Sequence, residues 1–385
     1  MPPNPQSANG TALERVCAAL RGERDVTPIA TGAADTDDLW TLIEAHGIGP
    51  LLFDALSRTG ALENWPAPIP DRLRRLAREQ AALEMLRREE LVAMLEALAA
   101  VGVDVLLMKG TPLAYTLYRS PEQRVRDDTD ALIEHRRLDS AVDALTGLDY
   151  RRSPSIDGEL VMQQLQMSRV DRFGAHHVLD LHWKVSNPHL FAGALDFEEL
   201  FSEAVEVPAL GPHARALGDT HALLLACIHR VAHHGASDRL IWLYDIHLLL
   251  EHMDAAERAR FSRTAAEKDM AQVCADGIAL AGARFHTRGA GALAAELLEL
   301  GTAGGGERSA RYLRGHRTGA ALLWDDLQAL PGWRQRLRLL REHALPSRAY
   351  MHSRFGARPG WQLPWFYVRR GLGGLARLLK PRRSP

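Results

Sequence analysis

The sequence predicts an α/β (α+β) protein in which one strand-rich segment lies between two helical regions. Three observations carry that prediction. Short apolar runs with strand character occur only between Val103 and Trp183, as "VDVLLMKG", "TDALIE", "QMSRVDRF" and "HHVLDLHW". The chain before them, from Thr11 to about Val101, repeats apolar residues at helical spacing of three and four. The chain after them, from about Asp196 to Glu342, returns to the same spacing.

The elements follow in order. "TALERVCAALRG" and "DTDDLWTLIEAHG" read as helices, and "PDRLRRLAREQAALEMLRREELVAMLEALAAVG" as a long one built from strong helix formers. "RRLDSAVDALTGL" is a helix between strands. Beyond them come the helices "DTHALLLACIHRVAHHG" and "DRLIWLYDIHLLLEHM", and a loop "GTAGGGERS" from Gly301. After Glu342 no acidic residue occurs, and Trp361, Trp365, Phe366 and Tyr367 mix with arginines. The expected division is an N-terminal helical region 1–101, an α/β core 102–195, a helical domain 196–342 and a basic aromatic tail 343–385.

Composition narrows the function classes. With 385 residues, 46% of them hydrophobic, the chain can bury one large core or two modest ones. Its 47 basic and 48 acidic side chains leave a net charge of -1, so no global field points to nucleic acid. Cys17, Cys227 and Cys274 are odd in number and far apart, which fits neither a disulfide framework nor a zinc cluster. A reducing cytoplasm is expected. The first residues lack a basic segment followed by an apolar one, and no run of about 18 uncharged apolar residues occurs, so neither a signal peptide nor a membrane span is expected.

The chemistry concentrates in "RVRDDTDALIE". In a strand, residues i and i+2 share a face, so Asp128 and Asp130 project together while Thr129 points away. Adjacent carboxylates repel unless a cation lies between them, and such oxygen ligands suit Mg²⁺. Asp180 in "VLDLHW" offers a third carboxylate, on the same face as His182, which would complete a two-ion site for phosphoryl transfer. The plainer reading of Asp-x-Asp is a solvated turn. Against it stand the apolar "ALI" that follows and "LLMKG" upstream, where Gly110 permits a close backbone approach to phosphate and Lys109 supplies a point charge.

Together these segments, with "LLLACIHRVAHHGASDRLIWLYDIHLLL" downstream, resemble a poorly characterised family of bacterial nucleotidyltransferase-like proteins within the polymerase-beta-type nucleotidyltransferase superfamily. The resemblance implies a small mixed-sheet core with helices packed on it. It implies that Asp128, Asp130 and Asp180 hold Mg²⁺, two ions being expected, and that a nucleoside triphosphate, ATP foremost, donates its nucleotidyl group. Lys109 and Gly110 stand where better-known members carry glycine and serine, so Thr111 or Lys109 takes over the phosphate contact. Arg124 is expected to neutralise phosphate charge, unless it simply pairs with Asp127 or Asp128. His182 either orients Asp180 or fills space beside Trp183.

His229 and His233 share a helix face, but Arg230 stands where a zinc protease needs its glutamate. The resemblance places them, with Asp245, along the substrate cleft; the plainer alternative is histidines satisfied in a helix interface. The acceptor stays open among a small hydroxylated molecule, a peptide, a protein side chain and an RNA end. Two other classes stay open as well: a nucleotide-sensing or partner-binding module with little catalysis, and a phosphohydrolase using His229, His233 and Asp245. For the tail, glycines at 371, 373 and 374 weaken an isolated amphipathic helix, so docking that completes the helical core is expected over peripheral contact with a membrane or RNA.

Overall fold

The computed structural model describes residues 5–26, 33–153, 158, 160–232, 236–303, 306–314, 318–355 and 362–378. Among them are seventeen α-helices and a seven-stranded mixed sheet. The N-terminal helices are α1 (Pro5–Leu20), α2 (Ala33–His46), α3 (Gly49–Thr59) and α4 (Ile69–Ala100). The central part holds β1 (Leu106–Met108), α5 (Gly110–Thr116), β2 (Thr129–Leu132), α6 (Leu138–Gly147), β3 (Arg151–Arg152), β4 (Gln164–Val170) and β5 (His176–His182). Then come α7 (His189–Ala192), α8 (Phe197–Ser202), β6 (Val205–Glu206), β7 (Arg215–Ala216), α9 (Asp219–Ala232) and α10 (Leu240–His252). The remainder is helical: α11 (Ala255–Glu267), α12 (Ala271–Phe285), α13 (Ala290–Thr302), α14 (Gly319–Ala329), α15 (Trp333–Ala344), α16 (Arg348–Phe355) and α17 (Leu363–Leu378).

The sheet order is β3-β4-β5-β2-β1-β7-β6. Strand β2 pairs antiparallel with β1 and parallel with β5, and β4 pairs antiparallel with β5. The sheet therefore runs on past residue 195, where no strand was expected. Two-residue strands such as β6 and β7 carry no alternation for a sequence to display; β7 is fixed instead by pairing with Leu106 and Leu107.

Strand alternation divides the sheet into two chemically different faces. Leu107, Ala131, Leu165, Met167, Leu179 and Leu181 point one way and pack with Leu91, Met94, Leu95 and Leu98 of α4 and Ala141 and Leu145 of α6. Leu98 is fully buried there, a contribution of about 2 kcal/mol. The long α4 can cover the sheet because its Leu and Met recur at helical spacing, and it stops where Gly102 turns into the left-handed region at φ 69°. On the opposite face Leu106, Met108 and Leu132 join the larger core formed with α1, α3, α9, α10, α12 and α13. That second face is the one that carries the polar residues.

The tail forms a helix across its three glycines. Phe366 stacks on Phe355 with ring centroids 5.0 Å apart, Tyr367 donates to Pro346 O at 2.7 Å and Arg370 to His343 O at 2.6 Å. It does not complete the core, because Trp365, Val368 and Leu372 stay exposed. Packing on one side offsets the weak intrinsic propensity, while among the described residues the opposite face stays exposed.

Candidate functional site

Register sets the centre of the site. Met108, Asp130, Asp180 and Gln166 are successive partners across β1, β2, β5 and β4, and Leu132, His182 and Gln164 form the next row on the same face. Asp130 thus faces Asp180 directly, both buried. Gln164 donates to Asp180 Oδ2 at 2.7 Å and Gln166 to Oδ1 at 3.0 Å, so the Asp180 carboxylate is held at both oxygens.

Strand β1 ends at Lys109, whose φ of 58° is uncommon for any residue but glycine. The bend sends its ammonium onto Asp130 Oδ1 at 2.6 Å, where His182 Nε2 also lies at 2.9 Å. Burial raises the pKa of Asp130, but Lys109 and then His182 outweigh it and hold the group well below the usual carboxylate range. Asp128 shows the reverse. Burial first, then the charges of Asp130 and Asp180, push it up to about 6 against the pull of Lys109. One carboxylate is thus paid for by the lysine while its neighbour carries the repulsion.

The segment carrying these aspartates is clamped by two arginines. Arg124 grips Asp245 of α10 with Nε to Oδ1 at 2.8 Å and Nη2 to Oδ2 at 2.8 Å, and Tyr118 donates to the same Oδ1 at 2.7 Å. The pairing expected within the loop, with Asp127 or Asp128, is therefore replaced by one with a carboxylate from a distant helix. Burial opposes the charge of Arg124, but Asp245 more than restores it. Arg126 bonds Glu84 of α4 at 2.6 Å, which explains why a glutamate is buried on that helix. Gly110 is required by the first clamp, since a Cβ there would fall 2.8 Å from Arg124 Cζ.

A cleft of about 600 Å³ opens over this arrangement. Asp128, Asp130, Lys109, Gly110, Thr111 and Arg124 all line it, and across it stand His229 and Asp245. Asp180 and His182 lie behind, one strand further in. His229 meets Trp242 edge-on at 5.3 Å. His233 lies outside the described residues. Arg230, between them in sequence, is fully buried and holds the carbonyls of Ala236 and Ser237 at 3.1 and 3.3 Å, so it fixes the entry to α10.

Sequence reasoning passed over several lining residues. Arg126 follows Arg124 by two positions, a spacing that was open to view; Arg239 and Trp242 come from α10 and its approach, with the Arg239 guanidinium 5.2 Å from the Trp242 ring. Gln164 and Gln166 gave no signal, because their importance arises only from pairing with β5.

Asp130, Asp180 and His182 offer ligand atoms that all lie within 4.8 Å of one another, a buried Asp-Asp-His group that can hold a metal ion. The donor set fits: hard carboxylate oxygens dominate it, and the pKa of Asp128 beside it is raised by burial first and then by the negative charges of Asp130 and Asp180. In this geometric group His182 takes the place expected for Asp128.

No curated protein matches the chain. Residues 32–286 match the model of a family described as uncharacterised nucleotidyltransferase. That span covers the clamped loop, the aspartates and the helices that close the cleft, well over half of the chain, and the protein therefore belongs to this nucleotidyltransferase family and is a transferase.

Proposed function

We propose that the protein moves a nucleoside monophosphate from a nucleoside triphosphate, ATP foremost, to a hydroxyl acceptor, in a Mg²⁺-dependent reaction that releases pyrophosphate. The observation that carries this reading is the register pairing of Asp130 with Asp180 at the edge of a cleft whose volume, about 600 Å³, suits a nucleotide. Asp128, Asp130 and Asp180 are the residues assigned to hold Mg²⁺. The ion, when bound, would polarise the phosphates and neutralise charge on the departing pyrophosphate.

The chain's own residues account for the rest. The acceptor oxygen attacks the α-phosphorus, the bond from that phosphorus to the bridging oxygen breaks, and pyrophosphate takes the electron pair. Asp180, aligned behind Asp130 by Gln164 and Gln166, is assigned to activate the acceptor, either as general base for its proton or through the ion it would help to hold. His182 orients Asp130 through its Nε2 contact. Lys109 and Thr111 face the phosphates from the end of β1, and Arg239 brings positive charge to the wall, whereas Arg126 is paired with Glu84. Arg124 acts mainly by fixing the loop, since Asp245 occupies its fork. The chemistry is assigned to the 102–195 core, with α9 and α10 closing the cleft and His229 and Asp245 on its wall. Three free, buried cysteines agree with the reducing cytoplasm where triphosphates are made.

A nucleotide-sensing module is the second reading, favoured by one observation: Lys109 and the two glutamines already satisfy Asp130 and Asp180 without a cation. Pyrophosphate release separates the two. The protein is incubated with Mg²⁺, each triphosphate and pools of hydroxyl acceptors, and pyrophosphate is measured for wild type and Asp130→Asn. Release by the wild type alone supports transfer; metal-dependent triphosphate binding with no release from any pool favours sensing.

A further inference from the structure

Two helices near the C-terminus carry apolar stripes that the protein leaves uncovered. On α15, Trp333, Leu337 and Leu340 are 69%, 58% and 41% exposed, at spacings of four and three, while Leu339 on the other side is buried. On α17, Trp365, Val368 and Leu372 repeat the pattern at 64%, 53% and 66%. Leu345, at the C-terminal end of α15, is 61% exposed. Residues at i, i+3, i+4 and i+7 share one helix face, so each helix presents a ridge and not scattered side chains. Arg370 ties α17 to His343 O of α15, and Tyr367 ties it to Pro346 O just beyond that helix.

Charge identifies what covers them. From Pro331 to the last residue Glu342 is the single acidic side chain, and it is spent internally, accepting from Leu160 N at 2.9 Å, from Val161 N at 3.2 Å and from Arg338 at 2.9 Å. Arg334, Arg341 and Arg369 flank the ridges and have no carboxylate partner among the described residues. A second copy of the chain would bring like charges together. RNA would stack on the tryptophans but gains nothing from exposed leucine and valine. An anionic bilayer surface suits every part: headgroups for the arginines, the interface for the tryptophans and the acyl boundary for the aliphatic side chains. No helix among the described residues is long and apolar enough to cross a membrane, so the contact is one of lying on the surface.

We propose that α15 and α17 form a docking surface for an anionic lipid bilayer, which would bring the nucleotidyltransferase core to a membrane face. The inference is independent of the catalytic reading.

The full chain is co-sedimented with extruded vesicles of phosphatidylcholine, with and without phosphatidylglycerol. Binding to the phosphatidylglycerol vesicles that weakens with added salt is expected, with little binding to phosphatidylcholine alone. Leu337→Asp/Leu372→Asp, at exposed positions and with an unchanged melting temperature, is expected to lower the partition coefficient by at least about tenfold. Arg334→Gln and Arg369→Gln, which leave the ridges intact, are each expected to lower it roughly fivefold. The proposal is overturned if the wild type ignores phosphatidylglycerol vesicles, or if the folded double-aspartate variant binds them as the wild type does. It is equally overturned if polyuridylate captures the chain while vesicles do not, or if a wild-type dimer becomes monomeric in that variant.

Discussion

Lys109 donates a 2.6 Å hydrogen bond to Asp130 Oδ1 from a backbone bent into a positive-φ conformation. An ammonium at this point does for Asp130 what a bound cation would do, and it keeps a buried carboxylate charged in the metal-free protein. The strain of the bend is sustained because β1 and α5 fix both ends of the turn.

Replacing Lys109 by Met is therefore expected to destabilise the metal-free protein by about 3 kcal/mol, since Asp130 stays buried with only His182 left on its carboxylate. Mg²⁺ is expected to restore a larger part of that loss than it adds to the wild type. Thermal unfolding in chelator and in Mg²⁺ measures both. Equal Mg²⁺ effects on the two proteins would mean that Lys109 does not stand at the cation's place.

Asp128 gives a pH signature with a definite sign. Its pKa in the folded chain, about 6, lies above the ordinary 3.8. Below the lower value both states are protonated and nothing is lost; between the two the unfolded chain ionises first, so folded stability falls as pH rises, and above the upper value the whole penalty remains. Discounted for partial exposure, the penalty is about 1–2 kcal/mol in the metal-free protein. Asp128→Asn should flatten the pH 4–6 limb of a stability curve measured in chelator and be more stable than wild type at neutral pH.

The Arg124–Asp245 pair should prove to be the structural keystone of the loop. Asp245→Ala leaves a buried guanidinium without its bidentate partner, an expected loss of about 3–5 kcal/mol in denaturant unfolding. Tyr118→Phe removes one hydrogen bond to the same carboxylate, an expected loss of about 1 kcal/mol. If Asp245→Ala unfolds at the wild-type midpoint, the clamp carries no weight.

Gly110→Ala tests the same clamp from the other side. The new methyl meets the Arg124 guanidinium at 2.8 Å, and that group is held by Asp245 and by Val125 O. A loss of about 1–3 kcal/mol is expected, as for overpacking in a fitted interior. The Asp245→Ala background should reduce this loss, because the arginine is then free to move. Additive losses in the double variant would contradict the contact.

Much of this was open to view in the sequence, and the rest was hidden for physical reasons. The strands holding Asp130 and Asp180 show as apolar runs because both faces are largely buried, and the helices show because their apolar spacing is long enough to count. Register is a different matter. That Asp130 faces Asp180, and that Gln164 and Gln166 hold Asp180, follows from pairing between segments whose order in the sheet no local pattern encodes. The partner of Arg124 lies 121 residues away, and a nearer aspartate was the natural guess. The tail's glycines argued against a helix on propensity alone, yet contacts such as Phe366 with Phe355 decide the matter.

The measurement that bears most directly on the account is the melting temperature of the wild type and of Asp128→Asn/Asp130→Asn across nucleoside triphosphates, with and without Mg²⁺. A ligand that binds only the folded chain adds about 2.7 kcal/mol at a hundred times its dissociation constant. The account predicts that at least one triphosphate stabilises the wild type only when Mg²⁺ is present, and that the folded double variant does not respond. Triphosphates that leave the wild type unmoved in Mg²⁺, or that stabilise both proteins alike, would contradict it.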